Sequence, residues 1–281
     1  MNLSPNQARH DYVKQGTTVG FFTDPTLCIG CKACEVACKE WNELPADGME
    51  WTGNSYDNTG ELGASTWRHV KFLELDEPLT SDPTGPLTPA GDSVGWLFVS
   101  DVCKHCENAG CLEACPTGAI VRTEIGSVFV QNDVCNGCGY CVVTCPFGVV
   151  DRRPEPQADS GGAFKCTFCH DRQTDGLTPA CAKACPTESI LFGPLDSLRE
   201  AADHRVEQLR ERGFQDARVY DPIDTSVGGT HAIFLLPRAS ERLGFPDRPE
   251  VPTIYLRASW TAALLTSAAM FLASWLAFAL T

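Results

Sequence analysis

Cys135-Asn136-Gly137-Cys138-Gly139-Tyr140-Cys141-Val142-Val143-Thr144-Cys145-Pro146 sets three cysteines at two-residue intervals, then a fourth after three more residues and before a proline. Three further groups flank it. They are Cys28-x2-Cys31-x2-Cys34-x3-Cys38, Cys103-x2-Cys106-x4-Cys111-x3-Cys115-Pro116, and Cys166-x2-Cys169 followed eleven residues later by Cys181-x3-Cys185-Pro186. All 16 cysteines of the 281 residues fall in these four groups. A disulfide scaffold belongs to short secreted chains. Residues 1–20 have no apolar run of the length that an export signal needs, so the sequence argues against disulfides. A formal net charge of −14 argues against a nucleic-acid grip, which needs clustered Lys and Arg.

A loop presenting three thiolates at this spacing wraps one cube of iron and sulfide, and its fourth cysteine reaches a neighbouring cube. Structural zinc prefers two separated C-x-x-C pairs and is the weaker reading. Sixteen ligands make four [4Fe–4S] clusters. The second and third groups, nineteen residues apart, form a self-contained two-cluster unit. Crossing assigns Cys103, Cys106, Cys111 and Cys145 to one cluster, and Cys115, Cys135, Cys138 and Cys141 to the other. The first and fourth groups then pair across the intervening residues, as Cys28, Cys31, Cys34 with Cys185, and Cys38 with Cys166, Cys169 and Cys181. Cys166-Thr167-Phe168-Cys169-His170 also matches a haem attachment motif, but haem would strand other cysteines, leaving His170 solvated or in support of a ligand. Lys32, Lys39, Lys104, Lys165 and Lys183 lie beside ligands; they either tune the clusters or are ordinary surface lysines.

The expected fold class is α+β, with two nested bacterial-ferredoxin-like units and one C-terminal transmembrane helix. Residues 1–97 with 162–236 form the first unit, and 98–161 form the inserted second. Ala119–Thr123 and Ser127–Gln131 read as a hairpin, and His231–Leu236 as a strand. Asp196 is placed to cap a helix whose apolar face is Leu198, Ala202, Val206 and Leu209, ending at Gly213. Between the first two cysteine groups lie GNSYDNTG at 53–60 and a stretch at 78–92 that reads as a surface loop, and 155–162 is a second break rich in Pro, Ser, Asp and Gly. Residues 237–257 read as a Pro-rich linker. Residues 258–280 then carry no charge; as a helix they extend roughly 34 Å, enough for a bilayer.

No G-x-S-x-G, P-loop or dinucleotide fingerprint is present, and every cysteine is taken up as a ligand. The sequence reads as a non-catalytic electron carrier whose substrate chemistry belongs to a partner. The stretches 31–45 (CKACEVACKEWNELP), 56–67 (YDNTGELGASTW), 136–149 (NGCGYCVVTCPFGV), 205–222 (RVEQLRERGFQDARVYDP) and 227–236 (VGGTHAIFLL) resemble the iron–sulfur beta subunits of respiratory membrane-bound formate dehydrogenases. Those belong to the wider set of four-cluster subunits of molybdenum/tungsten oxidoreductases. The resemblance implies a relay in anaerobic respiration from a formate-oxidising Mo/W-pterin catalytic subunit to a membrane cytochrome b and quinone. The equivalent subunit of another molybdo-oxidoreductase or of a hydrogenase complex is the alternative. The resemblance also implies a single-pass protein of the cytoplasmic membrane with its cluster domain on the outer side. The arginines before the helix (Arg242, Arg248, Arg257), read by charge alone, put that domain inside.

Overall fold

In the computed structural model the described residues are 5–48, 51, 53, 56, 59–75, 95–153 and 161–280. The loop expected at 78–92 lies outside them, as do most of the break at 155–162 and half of residues 53–60. The architecture rests on a four-stranded sheet in the order β8-β1-β10-β9. Strand β1 (Val19–Thr23) runs antiparallel to β8 (Ile190–Pro194) and parallel to β10 (Ala232–Leu236), which pairs antiparallel with β9 (Arg218–Tyr220). All five residues of β1 and of β10 are buried, because both faces of the sheet are covered. Alternation along β1 turns Gly20 toward Leu195, whose side chain occupies the space a Cβ would need, and Phe21 to the opposite face, edge-on to Phe168 at 4.8 Å.

The first of these faces belongs to a 17-residue helix, Leu195–Glu211, which buries Leu195, Leu198, Ala202, Val206 and Leu209. Each large apolar side chain so buried contributes about 1.5–3 kcal/mol. The apolar spacing predicted this face, but the helix begins earlier than expected. Pro194 holds the cap position and Asp196 stands within the first turn, where its charge still favours the helix N-terminus.

Three two-stranded hairpins complete the body. They are β2 (Arg68–Leu75) with β3 (Gly95–Val102), β4 (Ile120–Arg122) with β5 (Val128–Val130), and β6 (Asp151–Arg152) with β7 (Ala163–Phe164), all antiparallel. The turn between β4 and β5 holds Gly126 at φ +88°, where a Cβ would lie 2.0 Å from the His231 ring. Residues 237–257 are more structured than a free linker. They form 3-10 turns at Ser240–Leu243 and Pro252–Tyr255 and bury Leu243, Phe245 and Val251 on the body. Phe245 lies 4.8 Å from Phe234, so the prolines shape a packed strap rather than an extended one.

Leu256–Ala279 is a single exposed helix, long and apolar enough to cross a membrane by length and composition. Four of its five hydroxyls are satisfied from within. Thr261, Thr266, Ser267 and Ser274 donate to the carbonyls of Ala258, Ala262, Ala263 and Met270, as apolar surroundings demand.

Candidate metal centres

The strand pairings explain which cysteines meet. β1 ends five residues before Cys28 and β8 begins five after Cys185, and Thr23 pairs with Ile190, so the first and fourth groups converge. Cys28, Cys31, Cys34 and Cys185 line one cavity. Hairpin β4–β5 draws the second and third groups together, and β6–β7 leads from the third to the fourth. A second cavity is lined by Cys103, Cys106, Cys111 and Cys145. The remaining eight thiols form two more sets, visible in their mutual electrostatics. Burial, then Cys166, Cys181 and Cys169, push the Cys38 thiol far up. Burial, then Cys135, Cys138 and Cys115, push Cys141 up to about 11.

The sets are also adjacent to one another. Cys34 feels Cys181, Cys166 feels Cys103, and Cys111 feels Cys141. Four thiol sets thus stand in a row, in the order of Cys28, Cys38, Cys103 and Cys115. Two pairs of short helices carry cysteines at the joints: Ala33–Trp41 against Ala180–Lys183, and Gly110–Glu113 against Tyr140–Val143.

One backbone device recurs in every group. The residue before the second cysteine of each group's first C-x-x-C is left-handed: Gly30 at φ 68°, His105 at 46°, Gly137 at 69° and Phe168 at 64°. The curl brings backbone N–H groups toward sulfur, as where Phe168 N–H donates to Cys166 Sγ at 3.3 Å. Glycine adopts this conformation without penalty, whereas His105 and Phe168 each incur about 1–2 kcal/mol. Both are fully buried and their rings lie 4.4 Å apart, so packing between two adjacent loops offsets that strain.

The thiol chemistry suits a metal that displaces protons. Burial holds Cys34, Cys111 and Cys166 up at about 12, so without metal these ligands stay protonated near neutrality. Cys115 differs. Burial is the largest single influence and raises its pKa, but hydrogen bonds from Thr117 and the Ile120 and Ala119 backbone together outweigh it, so the net shift is downward. Among the described residues no three His, Cys, Asp or Glu side chains converge tightly enough to hold a single metal ion. The thiols of the two cavities surround a space rather than a point.

Of the lysines beside cysteines, Lys104 and Lys165 are buried, Lys32 and Lys39 are partly covered, and Lys183 is exposed. Lys104 is ion-paired with Asp101. His170 stands 3.3 Å from Glu124 and stacks on Phe129, with a quarter of its side chain exposed. Sequence reasoning missed Arg68 entirely. It opens β2, far in sequence from any cysteine, yet is 1% exposed and donates to Cys181 Sγ at 3.4 Å. No spacing signal could have marked it. Ser100, 3.3 Å from Cys34 Sγ, and Asn42, 3.6 Å from Cys38 Sγ, were equally silent.

Comparison with known proteins gives two overlapping matches to models of a 4Fe-4S dicluster domain, over residues 27–119 and 94–195. The formate dehydrogenase-O iron-sulfur subunit of Escherichia coli is 38% identical over 256 residues, covering 89% of this sequence and 77% of that protein. The formate dehydrogenase iron-sulfur subunit of Haemophilus influenzae is 39% identical, covering 88% and 74%. The B subunit of the anaerobic dimethyl sulfoxide reductase of E. coli is 34% identical over 184 residues, 66% of this sequence and 77% of its own length.

Proposed function

This protein belongs to the family of iron–sulfur subunits of formate dehydrogenases, and on that premise we propose that its four thiol sets hold four [4Fe–4S] clusters in one conducting row. It is an electron-transfer subunit and not the catalytic one. The clusters would be ligated by Cys28, Cys31, Cys34, Cys185; by Cys38, Cys166, Cys169, Cys181; by Cys103, Cys106, Cys111, Cys145; and by Cys115, Cys135, Cys138, Cys141. The observation that carries this reading is the row itself: four sets of four thiols, linked at three joints by cysteines within electrostatic reach of each other.

When bound, such clusters supply one-electron redox centres without an open position for substrate. The protein's own residues supply the rest. Left-handed loops aim N–H groups at sulfur, Phe168 and Phe21 exclude water from the middle of the row, and the β1–β8 and β4–β5 pairings fix the spacing of the sets. Direction follows from the far end. Gly110, in the helix that carries Cys111, lies against Val251, and Glu113 accepts a hydrogen bond from Thr253. The last sets therefore stand beside the root of the apolar helix Leu256–Ala279. Electrons from a Mo/W-pterin formate-oxidising subunit would enter at the Cys28 end and leave at the Cys115 end toward a cytochrome b in the membrane. A folded body on the outer face of that membrane completes the proposal, and protease accessibility in spheroplasts tests it.

The deciding experiment is low-temperature EPR on the complex, purified anaerobically in mild detergent through this subunit. Formate should produce reduced [4Fe–4S] signals amounting to four clusters. Signals that appear with dithionite but not with formate would keep the relay and assign it to another oxidoreductase, such as one acting on a sulfoxide. A colourless protein holding zinc would end the proposal.

A further inference from the structure

Two buried cations sit at the joints of the row with no carboxylate among the described residues to answer them. Arg68 donates to Ser100 O at 3.1 Å, to Ser100 Oγ at 3.4 Å and to Cys181 Sγ at 3.4 Å, with its guanidinium 4.9 Å from the Phe21 ring centroid. The thiols in its field are Cys181, Cys34 and Cys166, which belong to the first two sets. Lys165, 2% exposed, donates to Cys103 Sγ at 3.5 Å, to Cys166 O at 3.2 Å and to Val128 O. Its field reaches Cys103, Cys111 and Cys166, in the second and third sets. Among the described residues neither cation makes an ion pair, whereas the equally buried Lys104 has Asp101. A buried charge left unpaired costs several kcal/mol. The anions that can answer these two are cysteine thiolates.

Solvent contact follows the opposite pattern. Cys31 in the first set and Cys138 in the last are exposed, while all four thiols of the second set are buried, as are Cys103 and Cys111 of the third. Each electron added to a cluster with four thiolates makes a dianion a trianion, and burial opposes that gain of charge. Where water is missing, the fold has placed a fixed positive charge.

Resting on the ligand sets proposed above, we infer that Arg68 and Lys165 are potential-setting residues, each shared by two neighbouring clusters, and that the second cluster is held up by both. The reduced form is favoured on either side of each cation. The two innermost steps are thereby kept level with the solvent-touched ends.

The test is a redox titration of the intact complex, followed by low-temperature EPR, with Arg68→Met and Lys165→Met. Iron content and integrated signal first establish that four clusters are present; fewer than four in the parent complex would defeat the ligand assignment, not this inference. Arg68→Met should lower the reduction equilibrium of the first and second clusters at least tenfold, which is 59 mV for one electron. Lys165→Met should do so for the second and third. The second alone moves in both variants, and the fourth stays within twofold. Arg68→Lys and Lys165→Arg should restore most of each shift. Unchanged potentials with full cluster content, or an equal shift of all four, would overturn the inference. If the methionine variants do not assemble, the charge-retaining pair decides. Those must assemble with every equilibrium within threefold of the parent, and cluster loss or a tenfold shift in them would assign the two residues a role in shape rather than charge.

Discussion

Around β1, β8 and β10 the protein builds a hydrophobic core, with Phe21, Phe22, Phe168, Phe192, Ile233, Phe234 and the apolar face of Leu195–Glu211 packed together. Around β4 and β5 it does not. There the buried cluster is Ala109, Ile120, Val128, Val150 and Ala163 together with Cys111 and Cys141. Five small or medium side chains bury too little surface to order the loops that surround them. The first region can fold on apolar contacts and then accept metal. The second has thiols where a core should be, so under the proposed ligation metal binding and folding are one event there. The difference teaches that repeated cysteine spacing need not mean repeated energetics.

Removing iron tests this contrast most severely. Chelation should strip hydrogen-exchange protection from β4, β5 and the short helices at Gly110–Glu113 and Tyr140–Val143, because metal contributes on the order of 10 kcal/mol to such sites. Amides of β1, β8 and β10 should keep most of theirs. Equal loss in both regions would break the comparison. Cys141→Ala acts on the weak region alone. It should remove the last cluster and lower formate-to-quinone flow at least a hundredfold, with formate-to-dye activity at the catalytic subunit unchanged; undiminished quinone reduction would exclude this set from the path.

Smaller changes sharpen the contrast. Gly137→Ala puts a Cβ 1.6 Å from the Gly161 carbonyl oxygen at a φ of +69°, so the loop must give way. The measurable result is iron content short by one cluster. Phe234→Ala should cost about 3–5 kcal/mol by leaving a cavity in the sheet core, read as a lower denaturation midpoint of the iron-free protein. Val128→Ala, in the small cluster, should move that midpoint far less. The mildest test is thiol reactivity after chelation at pH 8. Cys115, released with its region once the metal is gone, should alkylate faster than Cys34, which burial in the surviving region holds up at about 12. The same rates for both would show that the two environments are alike.

The cysteine spacing carried the cofactor class, because ligand geometry leaves a fixed interval in the sequence, while the stretches at 205–222 and 227–236 and the terminal apolar segment carried the family. The hairpin at β4–β5 and the helix face from Leu198 to Leu209 were legible for the same reason: local periodicity reports local structure. Arg68 was not legible. It reaches Cys181, 113 residues away in the sequence, by side-chain contact alone, and a single arginine at the start of a strand leaves no pattern. Lys165 stands next to Cys166 in the sequence, but only burial separates it from the exposed Lys183. The strap at 237–257 reads as a linker because proline marks a break in regular structure and says nothing of whether Phe245 finds a pocket.

The pairing of β1 with β8 and β10 has a consequence for how the molecule is made. Translation proceeds at about 5–20 residues per second, so β1 leaves the ribosome roughly ten to forty seconds before β10 is available to it. Thr23 cannot meet Ile190, nor Cys28 its neighbour Cys185, until most of the body has been synthesised. Cys103 through Cys145, a contiguous stretch, is complete well before that. The segment most dependent on metal is thus the first able to receive it, and the nascent polypeptide must keep Cys28, Cys31 and Cys34 reduced and unengaged while it waits for its own later half.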